Sequence, residues 1–389
     1  MRHPDLEVTM PRAPYFGFLL AAAVLAGCGS APAVSPSAAA ASQAAPASAK
    51  PAASGASASA KPAASGSAAA KPKANGAVNL GYVSPASPFL WEIVGYKQGL
   101  FQKYGLTVNQ PVFVGGTPRL GAALVGGTFD AAGVGFAAAI DATAAGAHLE
   151  AIASQSNSSS FMLVLPPGSP IKSPKDLQGK TIAVSQIGDS ADEFLTTLLT
   201  KNGLSRDKDV HVTQTSSTPN TLTQTMAKSV DAGSMSSTYA FTARSKGGTI
   251  LATAHDLNML DLGGPVLVRK DWAESHRDQV LSLLKGMLAA NALYRANEQQ
   301  GLKVMHDSGW FNGVAPDVLS AIWQDDKKYN LDVPLVGAAE AKSLVDLEKE
   351  RDPKVAKVDI TQLYDNSYLQ ELIQDGFVKS VFPNYTAQS

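Results

Sequence analysis

The chain has 389 residues, 32 basic against 33 acidic side chains, 45% hydrophobic residues and a single cysteine. Charge this closely balanced leaves no basic footprint for nucleic acid, and one thiol excludes a disulfide framework or a multi-cysteine metal site. Six scattered histidines show neither H-x-x-x-H nor H-E-x-x-H spacing, so zinc has no home in the sequence and no cofactor is expected.

In chain order, Arg12 precedes an apolar run from Ala13 to Ala26 that has the build of a secretory signal. It is too short to cross roughly 30 Å of hydrocarbon as a helix. Asp5 and Glu7 are unusual ahead of such a run, and Met10-Pro11-Arg12 reads as the cleaner start. Leu25-Ala26-Gly27-Cys28 resembles a bacterial lipobox, which implies cleavage after residue 27 and lipidation of Cys28. Residues 28–76 are nearly all Ala, Ser, Pro, Gly and Lys, and Ser48 to Gly55 recurs as Ser59 to Gly66. Without large apolar side chains to bury, such a segment is expected to be a disordered tether. Its reach would hold a folded domain clear of the membrane surface.

Residues 77–389 are long enough for two domains. Val78 to Val83 reads as a strand, and Ser87 with Pro88 opens an amphipathic helix that ends at Gly105. Leu106 to Phe113 is the next strand, Gly116-Thr117 opens a second helix and Phe129 to Val134 forms a third strand. The same grammar returns in Lys180 to Val184, a helix opened by Ser190 and Glu193 as a capping box, Val210 to Val212, a helix from Thr218-Pro219, and Val230 to Met235. Two βαβαβ units make an α/β protein of two lobes with parallel-type sheets. Phe161 to Leu165 and the return at Gly263 to Val268 read as paired crossing strands between the lobes, with a helical C-terminal part on the first lobe. The expected division is 77–163 plus 262–389 for lobe 1 and 164–261 for lobe 2.

Gly95 to Val108, Asp176 to Val184, and the strand entries Phe129-Asp130-Ala131 and Val230-Asp231-Ala232 together resemble the substrate-binding proteins of ABC importers. The subgroup is that of the sulfonate, nitrate, taurine and thiamine-pyrimidine binders. The resemblance implies a type II periplasmic binding protein, a Venus-flytrap that closes on a small solute and delivers it to a permease and its ATPase. The lipobox and tether agree with it independently, and a monomer held at the outer face of the cell membrane through Cys28 is expected.

In open parallel sheets, solutes bind beyond the carboxyl ends of the strands, where helix N-termini point into the crevice. The loops there offer Ser84, Ser87, Phe89 and Trp91, then Gly116 and Thr117, then Gly135, Phe136 and Ala137. The second lobe offers Gln186, Gly188, Asp189 and Ser190, then Ser236, Ser237, Thr238 and Tyr239. Each hydroxyl can equally serve as a helix cap. Phe89 and Trp91 suit burial against the sheet, which leaves Tyr239 as the stacking aromatic. These loops carry no Lys or Arg, whereas Asp189, Asp192 and Glu193 cluster in one of them. If Asp189 faces the cleft, an amine or protonated heterocycle is favoured over an anion, although Ser, Thr and helix dipoles also suit a sulfonate or nitrate. A small nitrogen-containing solute is the expectation; an anion receptor and a ligand-sensing domain for a signalling partner are the alternatives.

An enzyme is not expected. Gly133-Val-Gly135-Phe-Ala-Ala138 fits a dinucleotide fingerprint, but the acid it needs, Glu150, precedes its strand instead of ending it. The eukaryotic pyrimidine synthases that share the resemblance carry a cysteine-rich iron motif absent from this sequence. Gly188-Asp-Ser190-Ala-Asp192 is no nucleophile elbow.

Overall fold

The structure, a computed structural model, describes residues 76–386 except Asp207. The signal segment, Cys28 and residues 28–75 of the expected tether lie outside the described residues. The described part belongs to one compact unit, in which no described helix is long and apolar enough to cross a membrane.

The first lobe begins with β1 (Leu80–Tyr82), α1 (Leu90–Lys97), α2 (Leu100–Lys103), β2 (Val112–Phe113), α3 (Thr117–Val125), β3 (Ala131–Gly133), α4 (Ala137–Ala144) and β4 (Leu149–Ser156). The second lobe follows with β5 (Phe161–Leu165), β6 (Thr181–Val184), α5 (Ser190–Lys201), β7 (His211–Gln214), α6 (Thr218–Met226), β8 (Ala232–Ser236), α7 (Ser237–Ser245) and β9 (Thr249–Thr253). The chain then returns through β10 (Gly263–Arg269) and continues as α8 (Lys270–Ser275), α9 (Arg277–Arg295), α10 (Glu298–Ser308), α11 (Pro316–Tyr329), α12 (Ala338–Arg351), α13 (Ser367–Gln374) and α14 (Phe377–Val381).

The two sheets are built alike, in the orders β2-β1-β3-β10-β4 and β7-β6-β8-β5-β9. In each, the first three strands are parallel, and a reversed strand, β10 or β5, runs antiparallel to both its neighbours. The sheets are therefore mixed, with three parallel strands on one side and the reversed strand separating them from the far edge. The two crossing strands do not pair with each other. Each is taken up inside one sheet, β5 between β8 and β9 and β10 between β3 and β4, because an edge left open on a buried strand is costly. The lobes are joined instead by segments 157–160 and 254–262. Ser158 Oγ lies 2.9 Å from His255 Nδ1 across these two segments, and the His255 ring stacks on Tyr329 of α11 at 3.4 Å.

Apolar side chains cover both faces of the first sheet. One cluster centres on Phe101, Leu284, Met287 and Tyr294, and the other on Leu120, Phe136, Ile140 and Leu344. A third, around Ile182, Phe194 and Leu198, belongs to the second lobe. The C-terminal helices α9, α12 and α13 pack on first-lobe elements, while α11 also reaches α7 of the second lobe.

Local details differ from the sequence reading where distant groups compete. The helix expected from Ser87 to Gly105 breaks at Gly99, which adopts φ 65°. Ser87 does not cap it. The turn there is a short 3-10 helix, and the Ser87 hydroxyl donates to Asp326 Oδ1 at 3.1 Å. Likewise the cap of α5 is Asp189, not Ser190, because the Asp189 carboxylate reaches the N–H groups of Ala191 and Asp192. Of the expected strand from Leu106 to Phe113, only Val112–Phe113 and a single bridge at Val108 form.

Candidate functional site

The two sheets present the carboxyl ends of their parallel strands to one cavity of about 50 Å³. Val83, Ser84, Phe89, Gly116, Thr117 and Gly135 come from the first lobe, and Ser185, Asp189, Ser190, Thr218 and Ser236 from the second. Ser160, Phe161, Asp261 and Leu262 to Pro265 close it along the crossing segments. A cavity of 150 Å³ holds benzene, so a solute of more than a few heavy atoms is admitted only as the walls part.

Of the residues expected at the site, Ser84, Phe89, Gly116, Thr117, Gly135, Asp189, Ser190 and Ser236 line this cavity. Thr117 and Ser190 approach Gly135 from opposite lobes; a Cβ there would lie 2.6 Å from Thr117 Oγ1 and 3.1 Å from Ser190 Oγ. Phe136 and Ala137 do not line it, because the start of α4 turns them into the core. Trp91 is also core, whereas Phe89 stays at the wall. Gln186 sits behind Gly116, which a side chain would drive into the Gln186 amide. The Gly188 N–H donates to Asp192 Oδ2 at 2.9 Å, and Arg351 of α12 lies 3.6 Å from that carboxylate across the cleft.

Ser87, Ser237, Thr238 and Tyr239 stand beside the cavity; Ser87, Thr238 and Tyr239 tie the lobes together, and Ser237 bonds to the joining segment. The Ser87 N–H donates to Thr238 Oγ1 at 3.2 Å, and that hydroxyl donates back to Ser87 Oγ at 3.2 Å. Tyr239 Oη donates to the Pro85 carbonyl at 3.2 Å, which joins its hydroxyl to the first lobe. The Ser237 N–H donates to the Ser160 carbonyl at 2.8 Å. Asp326 anchors the clasp from below, accepting from Ser87 and, at 2.5 Å, from Tyr294 Oη. Burial pushes its pKa up to about 7.

Four donors converge on Asp189. Its Oδ2 accepts from Ser185 Oγ and from the Gln186 N–H, and its Oδ1 accepts from Ala191 and Asp192 N–H at 3.1 Å each. Burial still pushes its pKa up to about 6, against the pull of those donors. Alanine at position 189 is expected to cost about 1–2 kcal/mol through the lost cap, with asparagine recovering part of it. Denaturant unfolding of both variants checks this, and an alanine variant as stable as the parent would refute the capping role.

Sequence reasoning missed Asp261, Ser160 and the Leu262 to Pro265 wall, which belong to crossing segments and not to loops after parallel strands. Asp261 is buried, its Oδ1 accepts from the Leu262 N–H at 2.7 Å, and burial raises its pKa. Glu193 stands close to it, and burial together with Asp261 holds its carboxyl well above the ordinary range. Among the described residues, the cavity wall carries two acids and no lysine or arginine. Helices α3, α6 and α7 point their N-termini at it without a side-chain cap or an acid in the first turn. Glu150, the acid a dinucleotide would need, is buried near the start of β4, 3.7 Å from Lys270 and outside the cavity wall. Among the described residues no cluster of three or more His, Asp or Glu is placed to hold a metal ion.

The family model for proteins described as "NMT1/THI5 like" matches residues 89–300, which includes every strand from β2 to β10. The chain belongs to the NMT1/THI5-like family. No curated protein sequence matches it. Among solved structures, this NMT1/THI5-like chain resembles a Bordetella bronchiseptica RB50 protein at TM-score 0.68 and 20% identity, over 79% of this chain and 98% of that one. It resembles the periplasmic aliphatic sulphonate binding protein SsuA of Escherichia coli at 0.60 and 24%, over 76% and 99% of the two chains. The periplasmic nitrate-binding protein NrtA of Synechocystis PCC 6803 gives 0.63 and 12%, over 77% and 88%. These likenesses establish the fold of periplasmic binding proteins.

Proposed function

We propose that the protein is the extracytoplasmic solute receptor of an ABC importer, closing on a small nitrogen-containing organic solute and presenting it to a permease and its ATPase. The observation that carries the reading is the cavity that both lobes line at the carboxyl ends of their parallel strands, reached through two crossing segments about which the lobes can bend. Membership of the NMT1/THI5-like family and the fold shared with sulphonate- and nitrate-binding proteins support it. The two acids in the wall favour a nitrogen cation. The uncapped N-termini of α3 and α6 favour the anion reading. Binding without bond-making is the proposed activity. Lipidation of Cys28 would anchor the receptor as a monomer at the outer face of the membrane, with residues 28–76 as its tether.

Two measurements on the full-length protein test the receptor reading. Mass spectrometry of the denatured protein is expected to release one small solute in near-stoichiometric amount. X-ray scattering is expected to show a smaller radius of gyration when that solute is returned. A protein that releases no solute and keeps one radius under every condition would not be a hinge-closing receptor.

A further inference from the structure

We propose that Arg351 is the positioning residue that holds the lobes shut, a cationic latch at the end of α12 whose partners are acids of both lobes. The inference rests on the receptor reading and adds the group that sets the balance between the open and the closed cleft.

The latch lies outside the cavity wall. Helix α12 is fixed to the first lobe by Ala341, Leu344 and Val345, which are buried in one cluster with Leu120, Phe136 and Ile140. Arg351 is its last residue, so the guanidinium reaches past the end of that packing. Its Nη1 donates to Glu348 Oε1 of the same helix at 2.8 Å, and its Nη2 lies 3.6 Å from Asp192 Oδ2 in the first turn of α5. The approach is close: a Cβ on Gly188, in the loop before α5, would lie 3.1 Å from Arg351 Nη2. Every other ion pair among the described residues stays within the second lobe, or within the first lobe and its C-terminal helices. Ser87, Thr238 and Tyr239 bridge the lobes through uncharged groups. Arg351 adds a charged contact from the side of α4 and α12.

The surroundings of the pair give it its role. Asp192 is fully buried, yet the second lobe satisfies it from within: Arg206 donates to Oδ1 and the Gly188 N–H donates to Oδ2 at 2.9 Å. Folding of α5 therefore does not need Arg351. Closure does, because it brings Asp141 and Glu348 of the first lobe up to Asp192 and Glu193 of the second, with the Arg351 charge among them. Burial raises the pKa of Asp141, Glu348 and Glu193, and in each case the Arg351 guanidinium pulls the other way. Carboxylates drawn together at a seam without a cation repel one another. When the lobes part, Asp192 keeps Arg206 and Arg351 keeps Glu348, so only the contact between the lobes is lost. An interaction made in one of two conformations weights the equilibrium toward that conformation.

Spin-label distances on the full-length protein test this, in a Cys28→Ser background and after bound solute has been removed by unfolding and refolding. The labels sit at two exposed positions on facing lobes, Arg119→Cys in α3 and Ala227→Cys just beyond α6. The parent is expected to show a short and a long separation, the short one being the shut form. Arg351→Gln, checked for the parent's unfolding transition, is expected to raise the ratio of long to short at least about threefold. Arg351→Lys is expected to restore part of the short population. Lys349→Gln, whose lysine pairs with Asp346 on the same helix, is expected to leave the ratio unchanged. A parent that shows the long separation alone, a ratio unmoved by Arg351→Gln, or one moved as far by Lys349→Gln would overturn the latch. The receptor reading is judged separately, by the released solute and the scattering change.

Discussion

Alanine at Gly264 is expected to lower the unfolding temperature by roughly 5–10 °C and to abolish solute retention. Gly264 holds φ 60°, a conformation that costs an L side chain about 1–2 kcal/mol. A Cβ there would also overlap the carbonyl oxygen of Pro88, which is backbone and cannot rotate aside. Together these amount to about 3 kcal/mol or more, at the upper end of single-site effects, and each kcal/mol is worth about 2–4 °C in a domain near this size. Pro88, Gly264 and Pro265 all line the cavity, so the shift that relieves the overlap moves the wall itself. Thermal unfolding and mass spectrometry of the bound solute read the two effects separately. A variant with the parent's transition and its full solute load would show that the loop yields freely.

The second large effect is on pH dependence. Glu92 is fully buried in α1, one of its carboxyl oxygens lacks a partner among the described residues, and burial pushes its pKa up to about 8. Burial likewise raises Asp326 to about 7 and Asp189 and Asp325 to about 6. A carboxyl whose folded pKa exceeds its unfolded value binds its proton more tightly when folded. Its stabilisation is complete below about pH 4 and is lost as pH rises through the folded pKa. The protein is therefore expected to be more stable at pH 5 than at pH 8, with Glu92 alone worth on the order of 3 kcal/mol. Glu92→Gln keeps the shape and removes the titration, so the decline toward pH 8 is expected to flatten. Denaturant unfolding across that range provides the check, and a parent protein that gains stability toward pH 8 would contradict it.

Much of the architecture was legible because strand and helix periods alternate twice, with turn residues at each switch. Phe129 to Val134 and Val230 to Met235 contain observed strands, and Thr117 and Thr218 begin observed helices. What the sequence concealed is set by long-range competition. Ser87 looks like a cap until Asp326, 239 positions away, takes its hydroxyl. Ser190 and Glu193 fit a capping box, but the neighbouring aspartate reaches the same N–H groups with a charge-assisted bond. Asp261 was invisible to a rule that looks beyond the ends of parallel strands, since it precedes the reversed strand β10. The same topological rule found Thr117, Gly135, Asp189 and Ser190 at the wall, while Tyr239 and Thr238 were drawn into bonds between the lobes.

The reversed strand in the first sheet also imposes an order on biogenesis. Strand β4 joins its sheet only through β10, which is made after the whole of β5 to β9. A nascent chain that has emerged as far as residue 260 thus holds every strand of one half and an open gap in the other. The contiguous half can close as soon as its own strands are available, whereas β3 and β4 keep exposed edges until β10 arrives between them.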